Sequence, residues 1–222
     1  GFNCGSTLQM HTIEKGMLAA QVAMNTTISA STCGLVVFAI RYAMIRKFDV
    51  GGFCNGILAG LVSITAGCSN MENAAAFATA IVGAFVFQGA STLLRVLKID
   101  DPVDAFAVHG ACGAWGVLAA AFFDWGQGFN YVHGWNGFKC IEDGNGNCQS
   151  GLGGEIIGAA FAEIAMIILW VGTLCGILFF VLKKSGLLIA STDMQEEGFD
   201  LLKHSPRKAY DFEEKPIPKS SI

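Results

Sequence analysis

Charged residues are scarce in this chain: they make up 14% of its 222 residues, whereas hydrophobic residues make up 53%. The mean hydropathy of +0.51 is too high for a typical soluble globular domain. The net charge is only −4, so no excess of basic residues indicates nucleic-acid binding. Composition therefore excludes a soluble or nucleic-acid-binding class and favours an all-α, polytopic membrane protein.

Charged residues rarely interrupt the apolar segments, and the uncharged runs are long enough to cross a bilayer. About 20 helical residues cover a hydrocarbon core roughly 30 Å thick, and residues 16–40 contain neither a charge nor a histidine. We predict a membrane domain at residues 1–183 and a charged, proline-containing tail at residues 184–222. The five predicted full spans are residues 16–40, 50–71, 73–94, 102–124 and 155–182.

Basic residues are unevenly shared between the predicted loops, and this predicts the orientation. If the loops alternate sides, Lys15 and Lys139 lie on one side, and by the positive-inside rule the richer side is cytoplasmic. The tail is then cytoplasmic and the loop around residues 125–151 is external. Because the chain begins at Gly1, we interpret it as part of a larger protein. The basic residues on the cytoplasmic side are Arg41, Arg46, Lys47, Arg95, Lys98, Lys183 and Lys184.

Most of the eight cysteines fall within apolar spans, where a thiol behaves as a small hydrophobic group. Cys140 and Cys148 differ because they flank a polar stretch in the external loop. They either pair, if that compartment is oxidising, or remain free thiols. Glycines are frequent in the spans, and Gly56 and Gly60 form a small-xxx-small pattern that predicts close helix packing.

One histidine within an apolar span needs an explanation. His109 follows three carboxylates, and ionisable groups at bilayer depth are rare, so it either lines a pathway or is a packed polar residue. Asp101 and Asp104 are predicted to stabilise the helix start, where carboxylates complement the helix dipole. Asp104 and His109 are separated by about 140° on a helix, which disfavours a direct pair. We predict a buried, neutral imidazole, because burial disfavours the charged form, and no metal site or cofactor.

Several motifs together resemble those of a known family. Residues 100–113 have the sequence DDPVDAFAVHGACG, and residues 1–6 have the sequence GFNCGS. Residues 56–65 have the sequence GILAGLVSIT, and Asn25 precedes Thr26. In the tail, Gly198, Asp200, His204 and Tyr210 fall in a Gly-x-Asp…His…Ala-Tyr pattern. The chain thus resembles the ammonium transporters of the Amt/Mep/Rh superfamily, from the end of span six to the cytosolic tail.

This resemblance implies an eleven-span helical bundle with inverted repeats, assembled as a homotrimer in the plasma membrane. His109 would line the pore together with a second histidine on span five, and Phe2 would help to close its outer mouth. The expected activity is transport of ammonium, ammonia and methylammonium, with deprotonation during passage. The tail residues Gly198, Asp200, His204 and Tyr210 would be regulatory and would contact a cytosolic regulator.

Other functions remain open at this stage. The same fold could act as an ammonium sensor that signals through the tail with little flux, or as a Rh-type gas channel, which the tail motif disfavours. An intramembrane enzyme using Asp101, Asp104 and His109 is a weaker hypothesis, because no convergent set of catalytic groups is apparent. We therefore predict a transporter and not an enzyme. In the tail, Leu202 stands where plant relatives carry a phosphorylated threonine, and Ser205 is a substitute candidate.

Overall fold

A computed structural model describes residues 1–123 and 154–197, and these residues form helices and no strands. The all-α prediction is confirmed. A helix of π type, in which hydrogen bonds join residues five apart, leads directly into α5. In chain order the helices are α1 (Phe2–Gly5), α2 (Ile13–Ile45), α3 (Val50–Thr65), α4 (Asn73–Val96), the π-helix (Phe106–Ala111), α5 (Cys112–Phe123), α6 (Gly154–Lys184) and α7 (Thr192–Glu197).

Four helical segments of the described chain are long and apolar enough to cross a membrane: Ile13–Ile45, Asn73–Val96, Phe106–Phe123 and Ile157–Lys184. The chain is therefore an integral membrane protein. The apolar helix α3 has 16 residues, or about 24 Å at 1.5 Å per residue, and it ends before the residue-71 limit predicted from hydropathy. Helix α2 has 33 residues, so it is about 50 Å long and extends beyond the predicted limit at residue 40.

The chain divides into two compact units, Gly1–Ala165 and Met166–Ile222. In the first unit, helices α2 to α5 pack on one another around two hydrophobic clusters. One cluster includes Val37, Phe87 and Val108 and lies toward the π-helix. The other includes Val22, Ile64 and Ala119 and lies toward the far end of α5.

Glycines allow α2 and α3 to approach closely, as the small-xxx-small pattern predicts. At Gly60 a Cβ atom would lie 2.5 Å from the backbone oxygen of Ser29, which is too near for any side chain. In return, the Ser29 hydroxyl donates a hydrogen bond of 2.7 Å to the Gly60 carbonyl. At Gly56 a Cβ atom would meet Val37 at 2.8 Å. The packing interpretation of these glycines is confirmed.

Amide side chains on α2 hold the connection between α3 and α4. The fully buried Asn25 donates from Nδ2 to the carbonyls of Cys68, at 3.0 Å, and Met71, at 2.7 Å. Gln21 donates to the Met71 carbonyl at 3.4 Å and to Asn73 at 2.9 Å. These bonds satisfy backbone carbonyls that would otherwise be unpaired in an apolar interior.

In the second unit, the described residues 166–197 contain the later part of α6 and the short helix α7. Large apolar side chains of α6, such as Trp170 and Phe180, are exposed. Lys183 and Lys184 fall in its last turn, where cations complement the helix dipole. An exposed apolar surface as long as that of α6 is suited to contact with lipid.

Candidate functional site

His109 lies within the π-helix, in the first part of an apolar segment that continues through α5. Its side chain is exposed, and within the described residues it makes no hydrogen bond or ion pair. Burial of the imidazole therefore stays a prediction, because no described element covers that face of the helix. The neighbouring Ala107 and Val108 are buried instead and pack toward α4.

Asp101 lies ahead of the π-helix and binds its first backbone amides. The amide of Ala105 donates to Oδ1 of Asp101 at 2.7 Å, and the amide of Phe106 donates to Oδ2 at 2.9 Å. The first amides of a helix have no partner within the helix, so a carboxylate here supplies the missing acceptors. Pro102 follows Asp101 in the turn before the helix.

Asp104 is positioned differently from Asp101, because its side chain points to neighbouring helices. Its Oδ1 accepts a 2.7 Å hydrogen bond from the hydroxyl of Ser91 on α4. Its Oδ2 accepts from Arg41 Nη2 on α2 at 3.1 Å and from Asn55 Nδ2 on α3 at 3.3 Å. One carboxylate thus joins three helices immediately before the π-helix begins.

Arg41 lies at the centre of this polar cluster, and its side chain is only 15% exposed. It belongs to α2, and not to the loop in which the hydropathy analysis placed it. Nη1 pairs with Asp49 Oδ2 at 2.8 Å, and Nε donates to Gln88 Oε1 at 3.0 Å. The guanidinium carbon also lies 5.4 Å from the centre of the Phe87 ring, a favourable distance for a cation–π contact.

Asp49 caps the start of α3 and is the second carboxylate on Arg41. Its Oδ1 accepts from the Gly52 amide at 2.8 Å. The hydrogen bond from the Arg41 guanidinium, followed by the one from the Gly52 amide, lowers the pKa of the Asp49 carboxyl below its usual range. Gly52 leaves room for this pair, because a Cβ atom there would lie 2.5 Å from Arg41 Cδ.

Phe2 lies near the other end of α5. The residue is 90% exposed, and its helix α1 is joined to α2 by a 3.2 Å hydrogen bond from Asn3 to Thr26. Cys4 packs against the cluster that includes Ala119, ten residues beyond His109, or roughly 15 Å along a helix. The structure therefore does not bring Phe2 into contact with His109.

Other predicted residues fall outside the described ranges. These are Cys140 and Cys148 of the loop and Gly198, Asp200, His204 and Tyr210 of the tail. Within residues 1–123 and 154–197, six cysteines are free thiols, and His, Cys, Asp and Glu form no group that could hold a metal ion. Asp101, Asp104 and His109 do not converge on one point, since each carboxylate is bound elsewhere.

Sequence reasoning missed the cluster around Arg41. Arg41, Asp49, Asn55, Gln88 and Ser91 come from three helices and a loop, so no local motif joins them. A usable signal was present: Arg41 directly follows a run without charges, at a point where the helix pattern has no glycine or proline to end it. A charge inside a membrane helix calls for a partner in the same bundle.

The comparisons with known proteins agree with this arrangement. A model of the Ammonium Transporter Family matches residues 1–210. The chain belongs to the ammonium transporter family. Curated members of the family include putative ammonium transporter 1 member 5 of Arabidopsis thaliana, 35% identical over 83% of the chain. Ammonium transporter 1 member 1 of the same plant is also 35% identical, over 92% of the chain. The chain spans 36% and 41% of the length of these two relatives.

Solved structures of ammonium transporters share the fold. Saccharomyces cerevisiae Mep2 superposes with a TM-score of 0.70 at 26% identity, covering 86% of this chain and 40% of Mep2. A structure described as a sensor Amt protein gives a TM-score of 0.72 at 27% identity, covering 91% of this chain and 45% of that protein. The polytopic ammonium-transporter fold predicted from sequence is confirmed.

Proposed function

We propose that this chain forms part of the wall of a pathway that carries ammonium across the membrane as neutral ammonia. The observation that supports this is His109, an exposed imidazole on an apolar membrane helix that no side chain of the described chain engages. A neutral imidazole offers one hydrogen-bond donor and one acceptor, which suits passing ammonia molecules. Membership of the ammonium transporter family supports the choice of substrate.

Energetics favour deprotonation before passage. Moving an ion of ammonium size into a medium of low dielectric constant costs on the order of 20 kcal/mol in the idealised limit. Removing a proton at neutral pH from an amine that titrates about two units higher costs only about 3 kcal/mol. The apolar surface around His109 is therefore better suited to ammonia than to ammonium, with the proton moved separately.

The assembly and orientation belong to the same proposal. We place the tail in the cytoplasm and the complete transporter in the plasma membrane, as a homotrimer with one pathway in each subunit. Phe2 would line the outer mouth, and Gly198, Asp200, His204 and Tyr210 would contact a neighbouring subunit or a cytosolic regulator. Asp101 and Asp104 would hold the helix start, and Cys140 and Cys148 would either form an external disulfide or remain free thiols. The distribution of lysine and arginine supports the orientation.

Uptake of radiolabelled methylammonium tests the role of His109. We expect the complete transporter to restore uptake in cells that lack their own ammonium transport. His109→Ala should then lower or alter uptake, because the substrate loses a hydrogen-bond partner in an apolar environment. The matched control is His11→Ala, since His11 is exposed but lies before α2. Unchanged rate and selectivity in His109→Ala, at equal surface expression, would refute the proposal.

An ammonium sensor is the second candidate, favoured by the structural match to a protein described as a sensor Amt protein. In that case the complete protein would bind ammonium but carry little flux. Uptake well below that of a known transporter, together with an ammonium-dependent change in tail accessibility to protease, would favour the sensor. Robust uptake without such a change would favour the transporter.

A further inference from the structure

Asp104 has a backbone conformation that needs support from its surroundings. Its φ angle is +56°, in the left-handed region that residues other than glycine rarely occupy. Such a conformation is strained and persists only where neighbouring structure holds it. The Asp104 carbonyl accepts the Val108 amide at 2.8 Å, so this residue also begins the turn that becomes the π-helix.

The helix that follows is itself uncommon. Most π-helices are short insertions in α-helices, and they frequently occur at functional sites. His109 is the fourth residue of the six in this segment, so the direction of its side chain depends on the π geometry. If the segment rewound as an α-helix, the imidazole would turn relative to the buried Val108 and Cys112.

Arg41 provides the main ionic restraint on Asp104. Its Nη2 atom lies 3.1 Å from Asp104 Oδ2, and the two side chains are only 15% and 19% exposed. Ser91 and Asn55 add neutral hydrogen bonds to the same carboxylate. Hydrogen bonds between charged groups are about twice as strong as neutral ones, so the guanidinium is the partner whose loss should matter most.

Arg41 cannot easily move away, because its other nitrogens are also occupied. Asp49 binds Nη1 and Gln88 binds Nε, so the guanidinium is fixed from both sides by groups on other elements. The Asp101 carboxylate independently holds the amides of Ala105 and Phe106. Arg41 therefore holds the side chain of Asp104 just before the π-helix, and Asp101 holds the backbone amides at its start.

We propose that Arg41 is a positioning residue for His109: through its ion pair with Asp104 it maintains the π-helix, and so the direction in which the imidazole faces. Arg41 itself does not contact the pathway. The effect on transport rests on the proposed function, whereas the effect on the π-helix does not.

Hydrogen–deuterium exchange of the complete protein in detergent tests the structural step without any transport. In Arg41→Gln, we expect peptides covering residues 104–111 to exchange on the order of ten times faster, because the local opening loses its ionic restraint. Peptides from the later parts of α3 and α5 should change little. Arg95→Gln is the matched control, since Arg95 lines the same cavity as Arg41 and Asp104 but, among the described residues, bonds to Ser91 and Thr92 and not to Asp104.

Methylammonium uptake by the same variants tests the link to His109. Arg41→Gln should lower the maximal rate on the order of tenfold, with the half-saturating concentration within about twofold, since a misplaced group mainly slows passage. Arg41→Lys keeps the positive charge but not the planar fork, so it should recover part of both the rate and the protection from exchange. Should Arg41→Gln fail to reach the membrane, Arg41→Lys must still show faster exchange at residues 104–111.

The outcomes separate the two proposals. Unchanged exchange at residues 104–111 in both Arg41 variants would overturn the positioning role. Faster exchange with a wild-type maximal rate would also overturn it, because the π-helix would then be irrelevant to His109. Absence of uptake by the wild-type protein would refute the proposed function and leave the exchange result to decide whether Arg41 maintains the π-helix.

Discussion

Asp104 and His109 are five residues apart, yet their side chains have opposite hydrogen-bonding environments. Asp104 is bound by Arg41, Ser91 and Asn55 from three different helices. His109 is exposed and has no polar partner within the described chain. A polar group that fixes the helices is satisfied by the bundle itself, whereas a group that serves a passing molecule must keep its hydrogen-bonding capacity free. Under the proposed function, pairing therefore distinguishes the structural Asp104 from the functional His109 more clearly than charge does.

Removing Asp104 should produce the largest loss of stability. Asp104→Leu leaves Arg41 with one carboxylate fewer in a poorly exposed site, and breaking such a pair by removing one partner costs about 3 kcal/mol. We expect a clearly lower melting midpoint for the detergent-solubilised protein, followed by tryptophan fluorescence. Asp104→Asn, which keeps the shape and the bond from Ser91, should fall between that variant and wild type. Equal melting midpoints for all three proteins would contradict the structural role of Asp104.

Acid should weaken the same cluster through Asp49. Because the folded pKa of its carboxyl is lowered by Arg41 and the Gly52 amide, its contribution is complete above the unfolded value of about 4. That contribution is lost as the pH falls through the folded pKa. The melting midpoint of wild type should therefore drop more steeply than that of Asp49→Asn as the pH falls below about 4. Parallel curves for the two proteins would contradict this assignment.

Substituting His109 should have the smallest effect on stability, however large its effect on uptake. An exposed side chain without partners typically contributes within about 0.5 kcal/mol. We expect the melting midpoint of His109→Ala to match that of wild type in detergent. A fall as large as that of Asp104→Leu would mean that the imidazole is a packing residue, and the distinction between the two positions would fail.

Much of the fold follows from the sequence because apolar membrane helices depend on local composition. The uncharged run at residues 16–40 and the segment at 73–94 both lie within helices of the structure. The end of α2 was harder to predict, since hydropathy treats every arginine as a boundary. Arg41 remains helical because Asp49 and Asp104 neutralise it, and those partners are 8 and 63 residues away.

The candidate site was predicted only in part, for a related reason. His109 stands out in the sequence because it is an isolated ionisable residue in an apolar segment. Its exposure depends on which helix faces are covered, and the π-helix depends on the conformation of Asp104. Neither property has a local signature in residue types. The different tasks of Asp101 and Asp104 likewise became visible only from their bonding partners.

The π-helix also constrains how the length of this segment can change in evolution. A π turn holds one residue more than an α turn, so it is a place where a single residue can be gained or lost without opening the helix. Losing that residue converts the π turn to an α turn, while the residues on either side keep nearly the same faces. Deleting one residue from Phe106–Ala111 would therefore leave Asp104 directed toward Arg41 but would change the direction in which His109 faces. The number of residues between Asp104 and Cys112 is thus as much a part of the site as their chemistry.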